Sequence, residues 1–326
     1  MAKIFRRKFL HLGAGAAALS AGSRIARSQT YPMRPVHLIV GFPPGGGADI
    51  IARLLGQSLS ERLGQPIVIE NRPGAGTNLA VETVVRAPQD GYTLLQVTAA
   101  NASNAMLYQN LSFDFLRDIK PVASWSRGAF VMVVNPLFPA KTVPEFITNA
   151  KANPGMINMA SSGIGITTHI FGELFKAMTG IEMIHVPYRG GAPAITALIG
   201  GQVQVYFSPL PEPLEQIKAG KLRALGVTTA ARVEALPDIP SISEFVPGYE
   251  ASGWQGISAP KDTPDEIVNK LNGEVNAILA DPKMKTELAQ MGSAVFPSSP
   301  ADFGKFIAAE TEKWAKVVKF ANIKPE

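Results

Sequence analysis

Cysteine is absent from the 326-residue chain. Its absence excludes disulfide bonds, and it also excludes a lipid anchor attached through a cysteine. Apolar residues make up 46% and charged residues 17% of the chain, as in an ordinary globular protein, and the length suits about two domains. Burial of apolar side chains must therefore supply the stability of the fold.

Histidine is scarce, with four in the whole chain. Three of them, His37, His169 and His185, lie beyond residue 28 and are widely spaced, without a His-Glu-x-x-His motif. His37 lies in an apolar run and is interpreted as structural, whereas a role for His169 in orienting a loop is favoured over a role as a base. We therefore predict no metal and no cofactor.

The common catalytic motifs are also missing. No Gly-x-Ser-x-Gly elbow of a serine hydrolase is present. The glycine-rich turn at residues 41–49 lacks the lysine and hydroxyl that end a P-loop, and its glycines lack the usual dinucleotide-binding register. We therefore predict that the protein is not an enzyme.

A long hydrophobic run is missing as well. Residues 1–28 combine a basic start with a short apolar segment rich in alanine and glycine, which is typical of a secretory signal. The segment is shorter than the ~20 helical residues that a membrane span needs. Because Arg-Arg-Lys-Phe-Leu at residues 6–10 resembles the twin-arginine motif, we predict a twin-arginine-like export signal that is cleaved after Ser28.

The positive net charge belongs to this signal. The chain has 31 basic and 26 acidic residues, and residues 1–28 hold six of the basic ones and none of the acidic ones. The exported part would therefore carry 25 basic and 26 acidic residues. This balance removes the main support for binding to nucleic acid or to an anionic membrane, and we expect a soluble periplasmic protein.

Strand-like and helix-like segments alternate after residue 30. The run Val-His-Leu-Ile-Val at residues 36–40 predicts a buried strand, and apolar residues at helical spacing from Ile50 to Leu59 predict the helix after it. Repetition of this unit predicts an α/β fold whose sheets are mostly parallel and flanked by helices.

Two segments interrupt the alternation. The apolar segment at residues 121–136 is interpreted as a crossing between lobes, and the proline-rich stretch at residues 236–260 as the return crossing. We therefore predict lobe 1 from residues 29–123 and 250–326, and lobe 2 from residues 124–249. The cleft between two such lobes is the expected ligand site.

Turns rich in glycine or small polar residues follow four predicted strands, at residues 41–49, 71–78, 98–104 and 161–169. In an α/β sheet such turns gather at the carboxyl edge of the strands, where free N–H groups at helix starts attract anions. These turns predict a site for a ligand with one or more carboxylates. Asp49 stands at a helix start, where a capping role is favoured over ligand contact.

Five stretches also carry a family resemblance: IVGFPPGGGADIIARLLG, GQPIVIENRPGAGTNLA, PQDGYTLL, GIGITTH and VPYRGGAPAITALIGGQV. In this order they resemble the extracytoplasmic solute receptors of the tripartite tricarboxylate transporter family, often called the Bug family. The resemblance implies a two-lobed, type II-like periplasmic binding protein that closes on a small organic carboxylate and delivers it to membrane transporter subunits. We expect a monomer.

In that family, main-chain groups and ordered waters at two facing loops commonly hold the ligand carboxylate. The resemblance and the turns after strands together give the predicted ligand-binding residues. They are Phe42, Pro43, Gly45, Gly46, Gly47, Ala48, Asp49, Gly76, Thr77, Thr98, Asn101, Ser161, Ser162, Gly163, Gly165, Thr167, His169, Tyr188 and Arg189.

Some positions depart from the family pattern and leave the ligand open. Ile166 replaces a common Ser or Thr, and Ala197 and Gln204 replace common acidic residues. Both a di- or tricarboxylate and a more apolar ligand such as an aromatic acid therefore stay open. Arg72 and Arg189 could contact a carboxylate or merely hold the turns. A ligand-sensing receptor and a periplasmic enzyme acting on a carboxylated substrate stay as alternatives.

Overall fold

The strands and helices of a computed structural model alternate as the sequence predicts, and residues 31–108 and 110–323 are described. The predicted signal at residues 1–28 lies outside them. The strands are β1 (Val36–Val40), β2 (Ile67–Asn71), β3 (Thr93–Thr98), β4 (Ile119–Val134), β5 (Asn158–Ser161), β6 (Ile184–Pro187), β7 (Val205–Pro209), β8 (Arg223–Val227), β9 (Ser252–Pro260) and β10 (Ser293–Val295).

The α-helices fill the intervals between these strands and end the chain. They are α1 (Gly47–Leu63), α2 (Asn78–Val85), α3 (Ala99–Leu107), α4 (Phe115–Asp118), α5 (Val143–Ala152), α6 (Thr167–Thr179), α7 (Gly191–Ile199), α8 (Leu214–Lys218), α9 (Asp265–Ala280), α10 (Pro282–Gln290) and α11 (Pro300–Phe320). Among the described helices, none combines the length and apolarity that crossing a bilayer requires.

The strands form one mixed sheet with the order β2-β1-β3-β9-β4-β7-β5-β6, and β8 and β10 also pair with β4. The pairs of β1 with β2 and β3, and of β5 with β6 and β7, are parallel. The predicted parallel units of the two-lobed α/β fold are thereby confirmed. The strands that connect the lobes are antiparallel to their neighbours.

Strand β4 contributes to both lobes. Its residues 119–129 pair with β9 beside the first parallel unit, and its residues 130–134 pair with β7 beside the second. The sequence predicted a crossing at residues 121–136 because this segment is a long apolar strand candidate that no predicted helix directly precedes. Strand β9 lies within the predicted return crossing, so the two connections run side by side in the sheet.

The sequence predicts capping boxes at Thr142–Glu145 and Thr263–Glu266, and the structure has a side-chain cap at the first of them only. At α5, the Thr142 hydroxyl accepts a hydrogen bond from the Glu145 N–H at 3.2 Å, as the sequence predicts. The capping box predicted to start at Thr263 is wrong. Its hydroxyl donates to the Pro260 carbonyl oxygen at 2.8 Å, and Pro264 takes the capping position instead.

The turn predicted at residues 98–104 is also wrong, because α3 begins directly after β3. The Asn101 Oδ1 accepts the Thr98 N–H at 2.8 Å, and this bond starts the helix without a loop. Both residues are buried. The polar side chains of α3 therefore face the interior behind the candidate site.

Aromatic packing joins the last helix to both lobes. Trp314 of α11 stacks on Phe171 of α6 with ring centroids 5.1 Å apart. The indole N–H groups of Trp314 and Trp254 both donate to the Glu310 Oε2 at 2.9 Å. All three aromatic rings are almost fully buried, so α11 is fixed against the connecting strands.

Candidate functional site

Two neighbouring cavities lie between the loops of the two lobes. The larger one, the outer cleft, has a volume of about 660 Å³. Its walls are Gly41, Phe42, Pro43, Pro73, Gly74, Ala75, Gly76, Thr77, Tyr108, Ser162, Gly163, Ile164, Ile166, Pro187, Tyr188, Arg189 and Gly190.

The smaller one, the inner cavity, has a volume of about 60 Å³, which is room for about two waters. Its walls are Phe42, Gly47, Ala48, Thr98, Ala99, Gly128, Ala129, Phe130, Ser162, Thr167, Thr168, Pro209, Pro211, Glu212, Gly253, Trp254, Gln255 and Ser293. Phe42 and Ser162 line both cavities, so the two spaces adjoin.

The predicted ligand-binding residues divide into three groups. Those that line the outer cleft are Phe42, Pro43, Gly76, Thr77, Ser162, Gly163, Tyr188 and Arg189. Those that line the inner cavity are Phe42, Gly47, Ala48, Thr98, Ser162 and Thr167. Those that line neither are Gly45, Gly46, Asp49, Asn101, Ser161, Gly165 and His169.

Asp49 holds the first glycine-rich loop from within. Its Oδ2 accepts hydrogen bonds from the Gly45 N–H and the Arg53 Nε, both at 2.9 Å, and its Oδ1 accepts one from the Asn71 Nδ2 at 2.8 Å. Burial raises the pKa of Asp49, but the hydrogen bonds outweigh it and bring the pKa below its usual value. Both carboxylate oxygens are therefore engaged inside the loop.

The second glycine-rich loop, residues 74–77, has an unusual backbone. All four of its residues have positive φ, including Thr77 at +84°, a conformation that a β-branched residue rarely adopts. The Asn101 Nδ2 donates to the Thr77 Oγ1 at 2.8 Å, and the Asn104 Nδ2 donates to the Gly76 carbonyl oxygen. Helix α3 thus holds this loop from behind.

The facing loop of the second lobe rests on two histidines. The Ser161 hydroxyl lies 2.6 Å from the His185 Nε2, and the Gly165 N–H donates to the His169 Nδ1 at 3.1 Å. The two imidazole rings stack with centroids 3.7 Å apart. Gly165 has a φ of +74°, which glycine adopts without strain.

These histidines are neutral at pH 7. Burial, followed by the charges of His185 and Lys176, lowers the pKa of His169 to about 3. Burial and the Lys176 charge lower the pKa of His185 to about 4. The pair therefore supports the loop as an uncharged stack.

Backbone donors and one cation are available in the outer cleft. Within the described residues, no protein acceptor takes the N–H groups of Ala75, Gly76 and Ile164. Arg189 is exposed at the same cleft and has no hydrogen-bond or ion-pair partner among those residues. Arg72, in contrast, pairs with Glu70 at 3.2 Å and lies outside the cleft lining.

The walls of the cleft touch across the two lobes. A methyl group built on Gly190 would lie 3.0 Å from the Pro43 Cγ, and one built on Gly47 would lie 2.8 Å from the Pro209 Cβ. The Ser103 hydroxyl lies 3.4 Å from the Gly165 carbonyl oxygen. Small residues at these positions permit the close approach of the two lobes.

Sequence reasoning missed several lining residues. Tyr108 and Ile164 line the outer cleft, and Glu212 lines the inner cavity. Glu212 follows the carboxyl end of β7, so the rule that ligand loops follow parallel strands, applied to this strand too, would have found it. Ile164 lies within the turn predicted at residues 161–169, which identified the segment but not this residue, and Tyr108 carries no comparable signal.

Chemically, this arrangement suits anion binding. The outer cleft offers main-chain N–H groups and a guanidinium, which both favour a carboxylate. Among the described residues, no group of three or more His, Cys, Asp or Glu side chains is placed to hold a metal ion. The groups that face the cleft can therefore bind and orient an anion.

Comparison with known proteins places this geometry in a family. The sequence model described as "Tripartite tricarboxylate transporter family receptor" matches residues 51–323. The protein BugT of Bordetella pertussis is 35% identical over 295 residues, which cover 90% of each chain. Both comparisons span most of the two-lobed fold.

Solved structures of similar proteins support the same family. A protein of R. palustris, solved with adipate, is 38% identical with a TM-score of 0.88, covering 91% of this chain and all of that one. MatC of Rhodopseudomonas palustris, solved with bound malate, is 30% identical with a TM-score of 0.83, covering 88% of this chain and all of that one. This chain belongs to the tripartite tricarboxylate transporter receptor family of periplasmic binding proteins, which includes the Bug proteins.

Proposed function

We propose that this protein is a periplasmic receptor that binds a small organic carboxylate in the outer cleft and delivers it to the membrane subunits of a tripartite tricarboxylate-type transporter. The observation that carries the proposal is the outer cleft itself. There, Ala75, Gly76 and Ile164, whose N–H groups have no protein acceptor among the described residues, line the same space as Arg189, which has no partner among them.

The donors in the cleft match one end of a carboxylate ligand. A carboxylate has about four lone-pair sites, and the guanidinium of Arg189 can occupy two of them in a bidentate contact. The N–H groups of Ala75 and Gly76 from one lobe, and of Ile164 from the other, supply the remaining bonds. A ligand held in this way would favour the closed form, because only the closed form brings both sets together.

Related proteins support the ligand class. One structural neighbour was solved with adipate and another with malate, which are both small organic carboxylates. The predicted export signal at residues 1–28 and the membership of a family of periplasmic receptors support the location. Under this proposal, lobe 1 comprises residues 29–123 and 250–326, lobe 2 comprises residues 124–249, and the receptor acts as a monomer.

A thermal-shift screen tests the proposal. Protein isolated from the periplasm is unfolded in guanidinium and refolded to remove bound ligand, then tested against aliphatic mono-, di- and tricarboxylates, aromatic acids and amino acids. A ligand at 100 times its dissociation constant adds about 2.7 kcal/mol, which raises the melting temperature by several degrees. A rise confined to one carboxylate class is the expected result.

A different result of the same screen would refute the proposal. If the refolded protein binds none of these acids while a neutral or cationic solute raises its melting temperature, carboxylate binding is refuted. Location has a separate readout, because the proposal requires the protein in the periplasmic fraction with its first residue near position 29. Delivery is tested by deleting neighbouring genes for membrane subunits, which should abolish uptake of the identified acid.

A further inference from the structure

Glu212 reaches from one lobe to the first helix of the other. It lies after β7, and its Oε1 accepts a hydrogen bond from the Gly47 N–H at 2.8 Å. Gly47 is the first residue of α1, a helix of 17 residues. The positive end of such a helix favours an anion, so a carboxylate of the protein itself occupies a position that a ligand carboxylate could use.

The second lobe fixes this carboxylate from the other side. The hydroxyls of Tyr206 and Ser208 lie 3.1 and 3.2 Å from the Glu212 Oε2. A methyl group built on Gly191 would lie 2.1 Å from the same oxygen, so only glycine leaves room for the side chain there.

The surroundings leave the charge of Glu212 without a cation. Most of the other inner-cavity walls are apolar, among them Phe42, Ala129, Phe130 and Trp254. Within the described part of the chain, no lysine, arginine or histidine forms an ion pair with Glu212. Burial raises the pKa of its carboxyl group, against the opposing effect of the Gly47, Tyr206 and Ser208 hydrogen bonds.

A second carboxylate brought into this cavity would meet a like charge in a poorly solvated space. Either the two charges repel, or one carboxyl group must take up a proton, and both outcomes weaken binding at neutral pH. The outer cleft has the opposite character because Arg189 and the free N–H groups favour an anion there. The two ends of the site therefore differ in what they accept.

We infer that Glu212 determines specificity: it selects ligands with a single carboxylate, held in the outer cleft, over ligands with a second carboxylate at the inner end. The inference rests on the proposed function, since it concerns the same cleft. The inner end of a preferred ligand is apolar or carries a hydrogen-bond donor such as an amide, hydroxyl or ammonium group. A donor of that kind can bond to the Glu212 carboxylate.

Matched ligand pairs test this inference by isothermal titration calorimetry. Butyrate with succinate, hexanoate with adipate, and benzoate with terephthalate differ within each pair by the second carboxylate. Each is titrated into the full exported protein and into the variants Glu212→Gln and Glu215→Gln. Glu215 is the control, because its side chain is 79% exposed on α8, lines neither cavity and pairs with Lys218.

The wild-type protein should prefer the monocarboxylate of each pair that binds. Glu212→Gln should reduce that preference by about tenfold, which corresponds to the loss of one unfavourable charge contact of about 1.4 kcal/mol. Glu215→Gln should leave the preference unchanged. Tyr206→Phe, which keeps the charge but removes one of its donors, should keep the preference for monocarboxylates.

Several results would overturn the inference. One is a wild-type protein that binds the dicarboxylates as tightly as their partners, and another is a ratio that Glu212→Gln does not change. A misfolded Glu212→Gln protein leaves the wild-type ratios and Tyr206→Phe to decide the question. If no carboxylate binds to any form, the proposed function itself fails, which is a different result from binding without discrimination.

Discussion

Arg189 and Arg72 show how one residue type takes two roles. Each arginine lies next to a glycine-rich segment of the sequence. The sequence therefore left a contact with the ligand open for both of them. The structure separates them by their partners, since Arg72 pairs with Glu70 while Arg189 faces the outer cleft without a partner in the described chain. A guanidinium that is already paired has less to gain from a ligand carboxylate.

The arginine pair gives a first prediction. Arg189→Gln should raise the dissociation constant of the carboxylate by about tenfold, because a charge-assisted contact is worth roughly 1.5–3 kcal/mol and exposure to solvent reduces it. Calorimetric titration measures the change. Arg72→Gln serves as the control and should shift the constant less than twofold, and equal effects of the two substitutions would contradict the assignment.

Thr77 gives a second prediction at the same scale. Thr77→Val keeps the β-branched shape but removes the Oγ1 that accepts from the Asn101 Nδ2. A buried donor without a partner costs about 1–3 kcal/mol, so the free energy of unfolding should fall by that amount. Urea denaturation checks it, with Thr77→Ser as the variant that keeps the hydroxyl and most of the stability.

At the scale of the element, the loop before α6 depends on two uncharged histidines. In the folded protein the pKa of His169 is about 3 and that of His185 is about 4, whereas an unfolded histidine titrates near ~6.5. Below that value the unfolded chain takes up protons that the folded chain does not. The contribution of the two neutral histidines to the free energy of unfolding is therefore fully present above pH ~6.5. It is lost progressively as the pH falls towards their pKa values in the folded protein.

The third prediction concerns this pH dependence. The free energy of unfolding should fall between pH 6.5 and pH 4.5, with up to about 1.4 kcal/mol per pH unit from each histidine. His185→Gln should give a shallower slope, because it removes one titrating group and keeps a polar partner for Ser161. Chemical denaturation at several pH values measures the slope, and equal slopes for wild type, His169→Gln and His185→Gln would refute the role of the pair.

The elements also show what could be predicted from the sequence. The helical spacing of apolar residues located α1 and the apolar run located β1, because their signals repeat over neighbouring residues. Strand β9 was predicted only as part of a crossing, since the prolines before it and at its end resemble a linker. Local patterns do not report which strand a segment will pair with.

The residues of the candidate site also divide into those that local sequence patterns predict and those that they do not. Turns after strands identified Phe42, Gly76 and Ser162 as lining residues, because a parallel sheet brings such turns to one edge. The contact of Glu212 with Gly47 joins positions 165 residues apart, and it depends on how the lobes meet. The sequence pattern held no information on that distance.

At the scale of the whole molecule, small residues lie where the two lobes are in contact. The Cα of Gly47 faces Pro209, and a methyl group there would lie 2.8 Å from the Pro209 Cβ. In an open receptor that methyl group would meet solvent, and α1 accepts alanine at its start. The fourth prediction is that Gly47→Ala folds normally but binds its carboxylate more weakly, because closure is obstructed.

Small-angle scattering with and without ligand checks this prediction. The wild-type radius of gyration should decrease when ligand binds, while that of Gly47→Ala should change less. Gly273→Ala is the control, since a methyl group at this position in α9 meets nothing within 4 Å. It should leave affinity unchanged and stabilise the helix by about 0.5–1 kcal/mol, and a loss of affinity in this variant would show that the effect at Gly47 is not specific.

Strand β4 has a consequence for how the protein folds. Residues 119–129 pair with β9 and residues 130–134 pair with β7, with no loop between them. Each lobe therefore pairs with part of β4, and the other part of the same strand is held by the other lobe. If either lobe unfolds, β4 loses the strand that pairs with one of its parts. We therefore expect the two halves to unfold as one cooperative unit, so that protection of their amide hydrogens from exchange rises and falls together.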